Sequence, residues 1–228
     1  DVVAQKDSLR PTYMVDTVLD YLESAPKKLK NRAKVRFHCG TAEIISTVIV
    51  LDKDELSPGE TCFAQFRLER PTVVLAKDRF VIRSYSPIRA IGGGLVLNPL
   101  PTKKRRFSKD TTQELTILSQ GSDKQIVEQI IKGSRLQGLS RADLCFLTNH
   151  SRKELDPLID ELLSDAAIIQ SEIENEVFVH AQFYTMAKEE IVSILGDYHR
   201  RFPLKKGLLK EELRSKMGSN IKEKLFNQ

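Results

Sequence analysis

Residues Asp78 to Gly94 read Asp-Arg-Phe-Val-Ile-Arg-Ser-Tyr-Ser-Pro-Ile-Arg-Ala-Ile-Gly-Gly-Gly. Phe80 and Ile82 alternate with Arg79, Val81 and Arg83, Ser84 to Pro87 supply a turn, and Ile88, Ala90 and Ile91 resume an apolar run. This is the pattern of a β-hairpin with one face toward a core and basic residues toward solvent. It closes on Gly92, Gly93 and Gly94, read as a strand end where backbone comes within contact distance of a bulky neighbour because no Cβ intervenes. Two readings stay open here: a bulge or corner of a barrel, or a surface for close approach by a ligand.

Upstream of the hairpin the strand period continues. Tyr13, Val15, Thr17, Leu19 and Tyr21 alternate across Thr12 to Leu22, Ala33 to His38 and Ala42 to Leu51 give two more strands, Thr61 to Glu69 a fourth, and Pro71 to Leu75 a short one. Ser57-Pro58-Gly59 is a turn in which Pro fixes φ and Gly supplies positive φ. Glu23 to Lys34, with Pro26, Lys27, Lys28, Lys30 and Arg32, reads as a solvated loop. Six or seven evenly spaced strands predict a small closed antiparallel barrel or sandwich over 11–100. Val2 to Gln5 reads as the last strand of a preceding barrel domain (1–10), which marks the chain as a piece of a larger protein.

Downstream, Pro99 and Pro101 and the run Lys103, Lys104, Arg105 and Arg106 predict a basic linker over 101–111. It is either a solvated connection or a strap that tracks phosphates. The period then becomes helical: Ile126, Val127, Ile130 and Ile131, then Leu144 and Leu147, then Leu155, Leu158, Ile159, Leu162 and Leu163. Short strands at Ile168 to Gln170 and Val177 to Val179 follow, the order of a winged helix (112–181). Gly138-Leu139-Ser140-Arg141-Ala142-Asp143-Leu144 matches Gly207-Leu208-Leu209-Lys210-Glu211-Glu212-Leu213 at an offset of 69 (207 minus 138), as do Lys153-Glu154 and Lys222-Glu223. A second winged helix, cut short, is expected over 182–228. The fold class is thus multidomain β plus α/β, an antiparallel barrel followed by tandem winged helices.

With 228 residues, 40% hydrophobic and 29% charged, the chain has an ordinary globular composition, and no run approaches a membrane span. Cys39, Cys62 and Cys145 are odd in number and widely separated, which predicts reduced, buried thiols and a cytoplasmic location. The formal charge of +5 suits a nucleic-acid partner. His38, His150, His180 and His199 form no ligand pair, the glycines lack the P-loop spacing, and Ser84 and Ser86 have no nucleophile elbow. No metal, cofactor or catalytic residue is expected. Glu154, Asp156, Asp160, Glu161 and Asp165 outnumber Arg152 and Lys153 on the helix that would read DNA, and Glu172, Glu174 and Glu176 fill the wing turn, so the first winged helix reads as a structural spacer or a protein-docking domain. Pro157 is expected to kink that helix or delay its start. The second copy is more basic, with Arg200, Arg201, Lys205, Lys206, Lys210, Arg214 and Lys216.

The combination of Val35-Arg36-Phe37-His38-Cys39-Gly40-Thr41-Ala42-Glu43, Ser57-Pro58-Gly59, Asp78-Arg79-Phe80-Val81-Ile82-Arg83 and Ile91-Gly92-Gly93-Gly94 resembles the third domain of selenocysteine-specific translation elongation factors. The following winged helices are similar to the bacterial form's extension, so the resemblance covers nearly the whole chain. It implies a barrel like domain III of elongation factors that holds the backbone of selenocysteyl-tRNA, with Arg89, Gly92, Gly93 and Gly94 as matching contact positions; Arg36 and His38 match the family's strand motif and either touch the RNA as well or shape the barrel. Lys103, Lys104, Arg105 and Arg106 join the candidate RNA contacts as the linker strap. It further implies the ribosome as partner and an mRNA selenocysteine-insertion hairpin bound through domains outside this chain. GTP and Mg²⁺ belong to the intact factor, whose GTPase domain is not in this stretch, so the piece itself is expected not to be an enzyme. Two alternatives remain at this point: a winged-helix DNA-binding transcriptional regulator with a barrel sensor, and a protein-interaction module of another GTPase machine.

Overall fold

The computed structural model describes residues 9–172 and 176–217. The strand expected at Val2 to Gln5, the wing residue Glu174 and the repeat match at Lys222-Glu223 lie outside them.

Six antiparallel strands close into a barrel in the order β1-β6-β4-β3-β7-β8. They are β1 (Thr12–Tyr21), β3 (Lys34–Cys39), β4 (Ala42–Val50), β6 (Thr61–Thr72), β7 (Arg79–Ser84) and β8 (Ala90–Asn98). Alternation puts Val15 and Leu19 of β1, Phe37 of β3, Phe66 of β6 and Phe80 and Ile82 of β7 inside. The three phenylalanines form the centre, with ring centroids 5.0–5.3 Å apart.

Two expectations upstream are corrected. The segment Glu23 to Lys34 is not only loop: β2 (Leu29–Lys30) pairs with β5 (Glu55–Leu56), and Ala25, Leu29 and Leu56 are buried at one end of the barrel. A few apolar residues in a polar run carry too little period to be read as structure. The short strand at Pro71 to Leu75 is instead the end of β6, which continues to Thr72. Pro71 is tolerated because it lies between the pairs Met14↔Arg67 and Thr12↔Thr72, where the ladder to β1 is irregular.

After the barrel the linker leads into α1 (Lys109–Gln120), a helix the sequence pattern did not single out. Ser108 caps it, its hydroxyl accepting from the Thr111 N–H, and Leu115 and Leu118 are buried. By contact the chain divides into two units: residues up to Ile126 together with Phe146–His150, and Val127–Cys145 together with Ser151 onward.

The second unit has a winged-helix order. Helices α2 (Asp123–Gly133), α3 (Arg141–Thr148) and α4 (Arg152–Ser164) accompany a three-stranded sheet β10-β11-β9, in which Ile168–Glu172 and Val177–His180 follow the helices and Leu139–Ser140 joins from between α2 and α3. Val127, Ile131, Leu144, Leu155, Ile159, Leu162, Ile168 and Phe178 make its core. Helix α4 starts no later for Pro157: Glu154 accepts from the Ser151 N–H and hydroxyl, both at 2.8 Å, and this capping box fixes the first turn at Arg152. Then come α5 (Ala181–Arg201) and α6 (Lys210–Lys216). Helix α3 begins three residues after Gly138 and α6 three residues after Gly207, so the sequence repeat is also a repeat of helix starts.

Candidate nucleic-acid interface

The glycines of β8 come first, because their setting differs from the expectation. They lie in the strand interior, not at its end: Gly92, Gly93 and Gly94 pair with Ile82, Val81 and Phe80 on one side and with Tyr21, Asp20 and Leu19 on the other. A Cβ at Gly92 would sit 2.8 Å from the Asp20 carbonyl oxygen, at Gly93 2.7 Å from that of Phe80, and at Gly94 2.0 Å from that of Val18. The close approach that glycine permits is made by the barrel's own backbone, where β8 is pressed between β7 and β1.

The hairpin's outward residues do form a charged face. Pleating directs Arg79, Val81 and Arg83 of β7 to solvent, with Arg36 paired opposite Arg83 and His38 opposite Val81. Two like charges directly across a ladder repel. Glu43 of β4 offsets this, paired opposite His38, bonded by the Arg36 guanidinium and 3.8 Å from His38 Nε2. That hydrogen bond from Arg36, with the positive charges of Arg36 and Arg83 and the nearby His38 ring, holds the Glu43 carboxyl below its usual value.

The turn between β7 and β8 carries the rest. The Ser84 hydroxyl donates to the Pro87 carbonyl and accepts from the Arg89 N–H at 3.2 Å, while the Ser84 N–H donates to the Arg89 carbonyl at 2.8 Å. Ser86–Pro87 is a cis peptide. The turn so fixed displays Tyr85 (50% exposed), Ile88 (59%) and Arg89. Arg36 braces it from below, its guanidinium 5.7 Å from the Tyr85 ring centre and 3.5 Å from the Tyr85 carbonyl. One surface thus unites Arg79, Arg83, Arg89 and Tyr85, exposed, with Arg36 and His38 half-buried beneath. Arg79, Arg83 and Tyr85 belong to it although the candidate RNA contacts named from the sequence do not include them. Their signal was present in the alternation that turns Arg83 outward next to a turn.

The linker cations lie elsewhere and divide by parity. Lys104 is bound to both oxygens of Glu114 at 2.6 Å, and Arg106 donates to the carbonyls of Val50 at 2.7 Å and Lys53 at 2.8 Å. Lys103 and Arg105 are exposed. The Gln65 amide donates to the Thr102 carbonyl at 2.9 Å and the Phe107 N–H to that of Leu51 at 2.7 Å, so the segment is strapped over β1, β6 and the end of β4. The fold does not bring this strap together with the Arg83–Arg89 face on β7 and β8.

The remaining singled-out residues have structural settings. Cys62 is buried, whereas Cys39 and Cys145 are only partly so, a correction to the reading of all three as buried. Burial raises all three thiols, Cys39 to about 11 with Asp78 adding to it. His180 caps α5, accepting from the Gln182 N–H at 3.2 Å, and faces Glu128 at 3.4 Å. No group of three or more potential metal-binding side chains occurs among the described residues. In the winged helix, Arg152 at the start of α4 is bonded to Glu176, which also pairs with Arg141. Of the two cations of the would-be reading helix, Arg152 thus goes to the protein's own carboxylate and Lys153 is exposed.

A closed antiparallel barrel with a basic outer face, followed by a winged helix and a repeated helix start, defines a class: the barrel module of translation factors carrying a winged-helix extension. The chain belongs to the family of selenocysteine-specific elongation factors. The family's sequence model for the "Selenocysteine-specific elongation factor, beta-barrel domain" matches residues 16–103, and that for "Elongation factor SelB, winged helix" matches residues 192–228. A selenocysteine-specific elongation factor of Desulfomicrobium baculatum is 34% identical over 227 residues, covering 100% of this chain and 36% of that protein. The crystal structure of a bacterial selenocysteine-specific elongation factor, EF-Sec, shares the fold with a TM-score of 0.61 at 20% identity, over 94% of this chain and 31% of that one. The chain therefore spans about a third of the length of these relatives.

Proposed function

We propose that this chain is the part of a selenocysteine-specific elongation factor that grips selenocysteyl-tRNA and links it to the domains that engage the mRNA hairpin at recoded UGA codons. The work is done in the cytoplasm on the ribosome, and GTP and Mg²⁺ act in a GTPase domain outside this stretch. The observation that carries the reading is the outward Arg79, Arg83 and Arg89 beside the braced Tyr85 turn, with one acid, Glu43, already committed to Arg36. Exposed arginines on a rigid β-surface suit a sugar-phosphate backbone, which fixes position without reading bases. Arg36 and His38 support the contact by holding the turn and the strand face. Gly92, Gly93 and Gly94 contribute by setting the register of β8. Lys103 and Arg105 offer a second phosphate contact on the strap, while Lys104 and Arg106 anchor it. The transcriptional-regulator reading gains nothing from α4, whose Arg152 is bound to Glu176.

Binding to selenocysteine tRNA, an ordinary elongator tRNA and a DNA duplex across a salt series tests this. Arg83→Glu and Arg89→Glu are each expected to weaken tRNA binding about tenfold or more and to lower the salt slope by about one. Unchanged tRNA affinity in both folded variants refutes the assignment.

A further inference from the structure

Asp16 of β1 and Gln65 of β6 are paired across the ladder and both fully buried. Gln65 Nε2 donates to Asp16 Oδ1 at 2.7 Å and, with its other hydrogen, to the Thr102 carbonyl of the strap at 2.9 Å. That leaves two buried oxygens, Asp16 Oδ2 and Gln65 Oε1, with no hydrogen-bond partner. Both are acceptors on groups already joined by one hydrogen bond, and two orphan acceptors at one place are costly unless a proton lies between them.

We propose that Asp16 is a carboxylic acid in the folded barrel and that its Oδ2–H donates to Gln65 Oε1, closing a cyclic acid–amide pair that holds Gln65 against the strap. One proton, taken from solvent on folding, satisfies both orphans. Among the described residues no guanidinium or ammonium bonds either oxygen; Arg67, two residues along β6 from Gln65, bonds neither. The neighbouring groups are Asn98, opposite on β8, Lys104 on the strap and Glu114 on α1, and Lys104 is engaged by Glu114. Burial is the main influence and pushes the Asp16 carboxyl up to about 7, against the lowering effect of the Gln65 hydrogen bond and Lys104, with Glu114 raising it further.

The sign follows from linkage. The unfolded carboxyl ionises near its usual value of about 4, whereas the folded one keeps its proton to about 7. Between these values the folded state binds more protons, so the contribution of Asp16 to stability is lost as pH rises through that window and is level above it. Ionisation also breaks the clasp on Gln65 and so loosens the strap that presents Lys103 and Arg105.

Asp16→Asn supplies an N–H where the acid supplies O–H and removes the titration. In denaturant unfolding of the full chain, its folding equilibrium should match wild type near pH 4 and exceed it progressively to about pH 7, approaching about a thousandfold at tenfold per pH unit. At one pH near 8, trypsin should cut the strap of wild type several-fold faster than that of the variant. Independently of any variant, infrared spectra of wild type at pH 6 should show a buried protonated carboxyl band. Absence of that band, or an Asp16→Asn difference constant with pH, overturns the proposal.

Discussion

Gly94 shows how one hydrogen atom in place of a methyl sets a barrel's closure. The added Cβ would lie 2.0 Å from the Val18 carbonyl oxygen, and its nearest neighbours, all backbone atoms of Val18 and Leu19, include no soft side-chain atom to yield. Gly94→Ala is expected to destabilise the barrel by at least ~2 kcal/mol, read as a lower urea midpoint. Gly133→Ala, where nothing lies within 4 Å, should be neutral or gain up to ~1 kcal/mol from helix propensity. The thiols make a second test at this scale. With Cys39 raised to about 11, its alkylation at pH 8, followed by mass spectrometry of the peptide, should run on the order of a hundredfold slower than that of free cysteine. The glycine run was legible as a place of close approach. What approaches was not, because local sequence names the position that lacks a Cβ and never the strand beside it.

Among elements, α1 and the strap carry more of the barrel's integrity than their composition suggests. Leu115 is fully buried, so Leu115→Ala should cost about 2–4 kcal/mol. Arg106→Ala removes hydrogen bonds to the Val50 and Lys53 carbonyls and should cost about 1–2 kcal/mol. Both effects are measurable as thermal or urea shifts of the barrel unit. Neither feature could be read locally. Between Lys109 and Gln120 only Leu115, Ile117 and Leu118 are strongly apolar, too few for a helical stripe, and the inward turn of Arg106 depends on carbonyls about fifty residues upstream, that of Lys104 on the Glu114 carboxylate of α1. The helices of the second unit were legible because Val127 and Ile131, and then Leu155, Ile159 and Leu162, repeat at the spacing of one buried face. The strands were legible for the same reason at a period of two.

At the scale of the whole molecule, a charge of +5 says less than its distribution. The barrel face around Arg83 and Arg89 is basic, whereas in the second unit Arg141 of α3 and Arg152 of α4 are spent on Glu176 and Asp156. The salt dependence of RNA binding should therefore survive reversal of charge on α4, such as Lys153→Glu, and collapse with the barrel variants; equal losses from both would move the contact to the winged helix. The barrel's closure has a topological consequence as well. Its first and last strands, β1 and β8, are hydrogen-bonded neighbours, with Asp16 opposite Asn98. The chain enters and leaves the ring through one doorway, so the module is a cassette: it can be inserted into a longer polypeptide without prying the flanking segments apart, and its circular order of strands would survive a new opening at the Tyr85–Arg89 turn.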